Sequence, residues 1–275
     1  MYIFQRLLLL GIIFVCSKAA SASHDIPDIK KRGELRVAVL ASNLEPFFII
    51  TKDRRLGGID YELIESIANA LGVKIKLDRT SKTFDDVVEC VARGKADIGV
   101  SKLSITLDRA QRVVFTEPYA RFDKTLVINK FFHQRHFPEG KPRASLKMVM
   151  NRPNVRIGVV QGASYTAFAR EIFPEAIVIE YGTWKKLRDD LMTGKVDALM
   201  RDDFEIKRWF MKTPTLNSYA IAVRLRDQPD HAHVIVHPSG LMLTRWLDKF
   251  ITNLHPLEQG NTERILTLIT APSQN

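Results

Sequence analysis

A short motif that occurs twice constrains the fold of this chain more than any other feature. The sequence GKAD at residues 94–97 and the sequence GKVD at residues 194–197 each follow an amphipathic segment and open an apolar run. The apolar runs at residues 35–40 and 155–160 resemble each other and precede the two motifs in the same order. Two matching pairs in one order indicate two similar structural units.

Each unit alternates short β-branched runs with segments of helical periodicity. Strands alternating with helices are typical of parallel βαβ units with helices on both faces of a sheet. The predicted strands are 35–40, 73–77, 97–100, 155–160 and 176–180, and the predicted helices are 59–71, 84–92, 164–172 and 183–192.

The chain is predicted to cross between the two units twice. Residues 124–129 look like a strand leaving the first unit, and residues 219–223 look like a strand returning to it. Between them, residues 132–153 are basic, contain proline and are expected to be irregular. After the return come a polar turn, a strand at 234–236, and helices near 241–254 and 262–269.

The predicted fold class is therefore α/β, with two similar lobes joined by a two-strand hinge. The first lobe is discontinuous and takes in residues 30–123 and 222–270. The second lobe takes in residues 124–221. A hinge of two strands allows the lobes to close on a small molecule.

Residues 1–22 are predicted to be a secretion signal. A basic start, an apolar run at residues 7–15 and the sequence Ala20-Ser21-Ala22 fit the signal and its cleavage site. The apolar run is shorter than the roughly 20 residues of a membrane-spanning helix. A permanent anchor, or a lipoprotein through Cys16, is the less favoured alternative. Without the signal, Cys90 is the single cysteine, so no intrachain disulfide can form, and it is expected to be buried and inert.

The formal net charge of +10 is spread along the chain with acidic residues interleaved. No block of like charge occurs, and export argues against a nucleic-acid partner. The charge is interpreted as a solvated surface with some bias toward acidic solutes.

The loops after the two motif-bearing strands are the candidate site, because ligands of open α/β sheets lie outside the carboxyl ends of the strands. The first loop carries Lys102, Ser104 and Arg109, and the second carries Asp202. Arg109 can bind a carboxylate through two parallel hydrogen bonds. Asp202 and carbonyl groups near Lys102 can accept from an ammonium, and Ser104 can assist at either end. The pair of charges fits a zwitterion.

A third element of the candidate site is the turn at residues 161–164. Gly162 permits a tight turn, and the free amides around Ser164 and Tyr165 at a helix start suit an anion. Plainer interpretations stay open: Arg109 as a surface ion-pair partner, Asp202 as a helix cap, and the turn as capping alone.

The sequence LSITLDRAQRVVFTEPY at residues 103–119 resembles the signature of the polar amino-acid family of bacterial periplasmic binding proteins. That family shares its type II fold with the ligand cores of ionotropic glutamate receptors. Further similar segments follow the family order: EPF at 45–47, GIDYEL at 58–63, QGAS at 161–164 and VDA at 196–198.

The resemblance implies roles for individual residues. Arg109 would anchor the α-carboxylate of the ligand with help from amides near Ser164, and Ser104 and Asp202 would hold its α-amino group. Phe47, with Phe48 beside it, would form a pocket wall, although core packing is an equally reasonable role for both. Departures include Leu44, where many relatives place an aromatic residue, and Lys102, where a small or hydroxylic residue is common.

The resemblance also implies the function. We expect a periplasmic substrate-binding component of an ABC importer, monomeric, that binds an amino-acid-like solute and meets an inner-membrane permease. No enzyme activity, cofactor, metal site or nucleic-acid partner is expected. Three histidines, His231, His233 and His237, lack the spacing of a metal site. The alternatives are a cyclohexadienyl dehydratase-like enzyme using Glu45 or Asp203 as acid or base, and a periplasmic sensor domain. The sequence leaves the solute undetermined.

Overall fold

The computed structural model of the protein describes residues 24–51, 53–138 and 145–254. The predicted signal peptide at residues 1–22 and the predicted helix near residues 262–269 lie outside the described residues.

The first half of the chain alternates strands and helices as predicted. Its helices are α1 (Ile26–Arg32), α2 (Ile59–Leu71), α3 (Phe84–Ala92) and α4 (Leu107–Ala110). Its strands are β1 (Glu34–Leu40), β2 (Ile49–Ile50), β3 (Leu56–Gly57), β4 (Lys74–Ser81) and β5 (Ile98–Leu103). Because β1 pairs in parallel with both β4 and β5, the predicted βαβ arrangement is confirmed.

The second half begins with the long strand β6 (Val114–Asn129) and repeats the alternation. Its parallel strands are β7 (Arg156–Val160), β8 (Ile177–Tyr181) and β9 (Ala198–Asp202). Its helices are α5 (Lys130–His136), α6 (Leu146–Met150), α7 (Tyr165–Ile172), α8 (Trp184–Met192) and α9 (Asp203–Lys212), followed by a 3₁₀ turn at Pro214–Ser218.

The expectation that residues 132–153 are irregular is wrong over α5 and α6. The side chain of Asn129 accepts hydrogen bonds from the amides of Phe131 and Phe132 and so starts α5 directly at the end of β6. This cap follows a strand without an intervening loop, so composition alone gave no helix signal here.

Strands β6 and β10 (Ala220–Val236) form an antiparallel pair that belongs to both halves of the sheet. We expected two short strands and a turn in place of β10. One continuous strand forms instead because β6 pairs with it on both sides of a register shift between Arg224 and Pro229. The eight-stranded sheet has the order β4-β1-β5-β10-β6-β9-β7-β8. The predicted lobe boundaries, at residues 123/124 and 221/222, fall within these two strands.

The two GKxD motifs have the same structural role. Asp97 accepts hydrogen bonds from the amide and the guanidinium of Arg36, over 2.9 and 2.8 Å. Asp197 accepts from the amide and the guanidinium of Arg156, over 2.8 and 2.9 Å. Each aspartate therefore ties the start of its own strand to the start of the first strand of its lobe.

Each lobe has its own apolar core. The core of the first lobe packs β1, β5 and α2 against α10 (Leu241–Leu254), and the core of the second lobe packs β7 and β9 against α7 and α8. Phe204 of α9 is an exception, because it packs in the core of the first lobe. Cys90 is buried on α3, and burial raises the pKa of its thiol to about 11, as expected for an inert cysteine.

Candidate functional site

A small cavity lies between the two lobes at the carboxyl ends of β5 and β9. The space left there for water-sized molecules is about 20 Å³. Six of the eight predicted ligand-binding residues line it, and the full lining is Phe84, Lys102, Ser104, Arg109, Ala163, Ser164, Tyr165, Arg201, Asp202 and Asp230. The two predicted residues outside the lining are Phe47 and Phe48.

Arg109 spans the gap between the lobes. It is the third residue of α4, a helix that Thr106 caps, and it is only 2% exposed. Its Nη1 donates to the carbonyl oxygen of Ser104 over 3.1 Å, and its Nη2 donates to the carbonyl oxygen of Gly162, in the second lobe, over 3.2 Å. A buried guanidinium in this position is able to bind an anion held between the lobes.

A further partner of Arg109 is the carboxylate of Asp85. Nε and Nη2 of Arg109 donate to Oδ1 of Asp85 over 3.0 and 2.8 Å. The Asp85 side chain is 51% exposed at the first turn of α3. Asp85 thus presents to Arg109 the chemical group that a solute carboxylate would present, from a position that solvent reaches.

The carboxylate of Asp202 is already engaged by other groups of the chain. Its Oδ1 accepts from the amide of Glu205 over 3.0 Å and lies 2.8 Å from Nζ of Lys102. Burial tends to raise the pKa of Asp202, but the charges of Lys102 and Arg201 hold it below the usual value. The expected role in holding an α-amino group is therefore opposed by a pairing within the chain, and the capping role left open from the sequence is the one observed.

The two predicted pocket-wall phenylalanines lie in apolar surroundings. Phe47 is fully buried and packs edge-to-face against Phe122 and Phe204. Phe48 is buried in the core of the first lobe with the guanidinium of Arg79 over its ring. Core packing, the alternative open from the sequence, accounts for both.

The turn before α7 brings Ser164 and Tyr165 to the cavity. Gly162 has a φ of +68°, in the region that favours glycine. The hydroxyl of Tyr165 donates to Oδ2 of Asp230 over 2.6 Å. The sequence prediction considered the backbone amide of Tyr165, whereas the polar contact observed here is made by its side-chain hydroxyl.

Sequence reasoning missed Phe84, Arg201 and Asp230. Arg201 directly precedes Asp202, so extending the loop by one residue would have included it. Asp230 lies in β10, which was expected to be a turn, and no pattern marked it. Burial raises its pKa, while hydrogen bonds from Tyr165 and Ser104 oppose that shift.

The two residues considered as an acid or base lie elsewhere. Glu45 forms an ion pair with Arg208 and is exposed. Asp203 accepts from the amide of Asp123 over 3.0 Å. Neither residue lines the cavity, so the structure offers neither as an acid or base there.

Among residues 24–51, 53–138 and 145–254, no helix combines the length and apolar character needed to cross a bilayer. The same part of the chain holds no cluster of three histidine, cysteine or acidic residues fit for a metal ion.

Known proteins resemble this chain in sequence. Residues 35–152 match the bacterial extracellular solute-binding proteins, family 3. The L-arginine-binding protein of Pseudomonas aeruginosa is 24% identical over 218 residues, which cover 78% of this chain and 76% of that protein. The cyclohexadienyl dehydratase of the same organism is 25% identical over 264 residues, which cover 96% of this chain and 91% of the enzyme.

A solved structure shows the same fold. The binding component of an ABC transporter from Wolinella succinogenes, described as putative and complexed with lysine, superposes with a TM-score of 0.66 at 24% identity. The match covers 88% of this chain and 98% of that one. The two lobes and the long paired strands between them, together with the match over residues 35–152, make this chain similar to the bacterial extracellular solute-binding proteins, family 3.

Proposed function

We propose that this protein is the periplasmic substrate-binding component of an ABC importer, and that its lobes close around a small amino-acid-like solute with a carboxylate. The observation that carries the proposal is the position of Arg109. Its guanidinium is buried between the lobes, donates to the backbone of both, and pairs with a solvent-accessible carboxylate, that of Asp85. The binding proteins among the relatives support the same class of function.

The solute carboxylate would take the place of Asp85 on Arg109. The exchange substitutes one carboxylate for another, so the guanidinium keeps two charge-assisted hydrogen bonds while Asp85 returns to water. At the other end of the solute, Asp230 and the hydroxyl of Ser104 are the acceptors that remain for an amino group. Contacts from both lobes would favour the closed state.

A panel of ligands tests the proposal. The protein is heated with each amino acid and with small dicarboxylates, and any solute that raises its melting temperature is titrated by calorimetry. We expect Arg109→Ala to abolish binding of that solute, because the cavity then lacks its carboxylate partner. Arg112→Ala is the matched control, since Arg112 pairs with Glu89 and Asp108 outside the cavity. Near-normal affinity in Arg109→Ala would overturn the assignment.

The predicted signal at residues 1–22 would direct the protein to the periplasm, where it would deliver the solute, as a monomer, to an inner-membrane permease. Cell fractionation tests the location, and finding the protein in the cytoplasm would contradict it. A sensor role predicts growth effects without any change in uptake of the labelled solute.

A second candidate, an enzyme related to cyclohexadienyl dehydratase, is favoured by one observation. The cavity contains a carboxyl group, Asp230, whose pKa burial raises, and such a group can act as a general acid. The dehydratase relative also aligns along nearly the whole chain. Incubation with prephenate or arogenate separates the candidates: product formation supports the enzyme, and a thermal shift without turnover supports the binding protein.

A further inference from the structure

Lys102 is enclosed by three phenylalanine rings. Its Nζ lies 5.1, 4.6 and 5.3 Å from the ring centroids of Phe47, Phe122 and Phe204. The three rings also contact one another edge-to-face and are almost fully buried. We call these three rings the aromatic cage. Ring faces within about 6 Å of an ammonium attract it, so the aromatic cage has the chemistry of a cation-binding compartment.

Two buried carboxyl groups complete this compartment. Oδ1 of Asp202 lies 2.8 Å from Nζ of Lys102. Asp60, whose pKa burial raises and the charge of Lys102 lowers, accepts from the hydroxyl of Tyr119 over 2.7 Å, and that hydroxyl accepts from the amide of Lys102 over 3.0 Å. Oδ2 of Asp60 has no hydrogen-bond partner among the residues that the structure describes. The surroundings of the ammonium are therefore aromatic and acidic, as a bound cation requires.

The compartment is formed jointly by the two lobes. Lys102, Phe47 and Phe122 come from the first lobe and from β6, whereas Asp202 and Phe204 come from β9 and α9. The backbone of Lys102 has a φ of +49°, which an L-residue seldom adopts. The side chain thus reaches the compartment from a backbone conformation that the surrounding structure must enforce.

We propose that Lys102 is a built-in occupant of an ammonium-binding compartment, and that it restricts the protein to solutes without a cationic side chain. The restriction on solutes rests on the proposed function, whereas the occupancy of the compartment by Lys102 does not. Lys102 occupies the aromatic cage and pairs with Asp202. Little space therefore remains for a solute beside Arg109. The solute class is then a small carboxylate-bearing amino acid, in contrast to the arginine and lysine named for the relatives.

Chemical rescue tests the occupancy. Lys102→Ala removes the atoms from Cγ to Nζ, which correspond to propylammonium. We expect propylammonium chloride, against sodium chloride at equal ionic strength, to raise the melting temperature of Lys102→Ala by several degrees in a saturable manner. The wild type and Lys102→Met, in which the compartment stays filled, should show no such shift, and neither should Lys102→Ala with 1-propanol. An equal response to propanol, or no response to propylammonium, would overturn the proposal.

A labelling experiment on the wild type serves if Lys102→Ala does not fold. Reductive methylation followed by mass spectrometry should modify the exposed Lys76 and Lys195 quickly and leave Lys102 unmodified. Modification of Lys102 at the rate of these two lysines would contradict its burial in the compartment.

The restriction on solutes has its own measurement. Wild type should show no calorimetric binding of L-lysine or L-arginine, and Lys102→Ala should gain affinity for L-lysine of at least about tenfold, since the cage can then accept its ammonium. Tight binding of L-lysine by the wild type would refute the restriction. Rescue and labelling involve no solute, so their failure is distinguishable from failure of the transport proposal.

Discussion

Nη2 of Arg109, in the first lobe, donates a hydrogen bond to the carbonyl oxygen of Gly162, in the second lobe. The amide of Asp85 donates to the same oxygen over 3.2 Å. A Cβ at residue 162 would lie 2.7 Å from Cβ of Thr83. The lobes therefore meet here because residue 162 has no side chain.

We expect Gly162→Ala to weaken solute binding. The added methyl must displace Thr83 and part the lobes, so the closed state loses stability; a cost of about 1.4 kcal/mol lowers affinity tenfold. Gly194→Ala is the control, because Gly194 has a similar φ of +73° but nothing within 4 Å of its Cβ. Calorimetric titration of both variants checks this prediction. If Gly162→Ala and Gly194→Ala bound the solute equally well, the contact between residue 162 and Thr83 would not limit closure of the lobes.

The two motif aspartates should differ in their contribution to stability. Asp97 is fully buried and pairs with His24, Arg32 and Arg36, whereas the Asp197 side chain is 13% exposed and pairs with Arg156. Breaking a buried ion pair costs roughly 3–5 kcal/mol. We expect Asp97→Asn to lower the free energy of unfolding by about that amount, and Asp197→Asn to lower it less. Urea denaturation at pH 7 measures both, and the reverse order would be inconsistent with this account.

The pKa of Asp60 predicts how stability depends on pH. Burial raises this pKa to about 7, against the hydrogen bond from Tyr119 and the charge of Lys102. A raised carboxyl pKa means that the folded state holds its proton more tightly than the unfolded state. The contribution of Asp60 to stability is therefore greatest below about pH 4 and falls as pH rises to about 7, by roughly 4 kcal/mol in total.

Asp60→Asn should remove that dependence. Between pH 4 and pH 8, the free energy of unfolding of Asp60→Asn should increase relative to that of the wild type by up to roughly 4 kcal/mol. Asp53→Asn is the control, since Asp53 is exposed and its pKa is lowered by hydrogen bonds from Thr51 and Arg55. Parallel curves for wild type and Asp60→Asn in urea denaturation would show that Asp60 does not titrate as the structure implies.

The sequence predicted elements whose signals are local. The βαβ alternation, the helices α2 and α3 and the position of Arg109 all follow from periodicity, caps and the rule for sheet edges. The continuity of β10 could not be predicted this way, because residues 226–228 are polar and the pairing with β6 on both sides of them keeps the strand extended.

The partners of individual side chains also could not be predicted from the sequence. Loop positions placed Lys102 and Asp202 at one cavity, but nothing in their spacing indicated that they would neutralise each other. Asp230 reaches the cavity only through the register of β10 against β6, which is a long-range property of the sheet. Local patterns thus brought most of the predicted residues to one cavity, whereas the charge balance of that cavity depends on tertiary contacts.

The cavity carboxyl Asp230 should make solute binding depend on pH. Burial raises its pKa above the usual value of about 4, and the hydroxyl of Tyr165 donates to it over 2.6 Å. As pH rises and Asp230 ionises, it becomes a charged acceptor for the amino group that the proposed function places beside it. Affinity for an amino-acid solute should therefore rise as pH rises, and calorimetry from pH 4 upward measures the slope.

Two variants separate Asp230 from other titrating groups. Asp230→Asn should abolish the slope, because the neutral amide has the same charge at every pH. Tyr165→Phe removes a hydrogen bond that favours the ionised carboxylate, so the rise in affinity should move to higher pH. If Asp230→Asn kept the slope of the wild type, the titrating group would lie elsewhere, and Asp230 would not control the charge of the cavity.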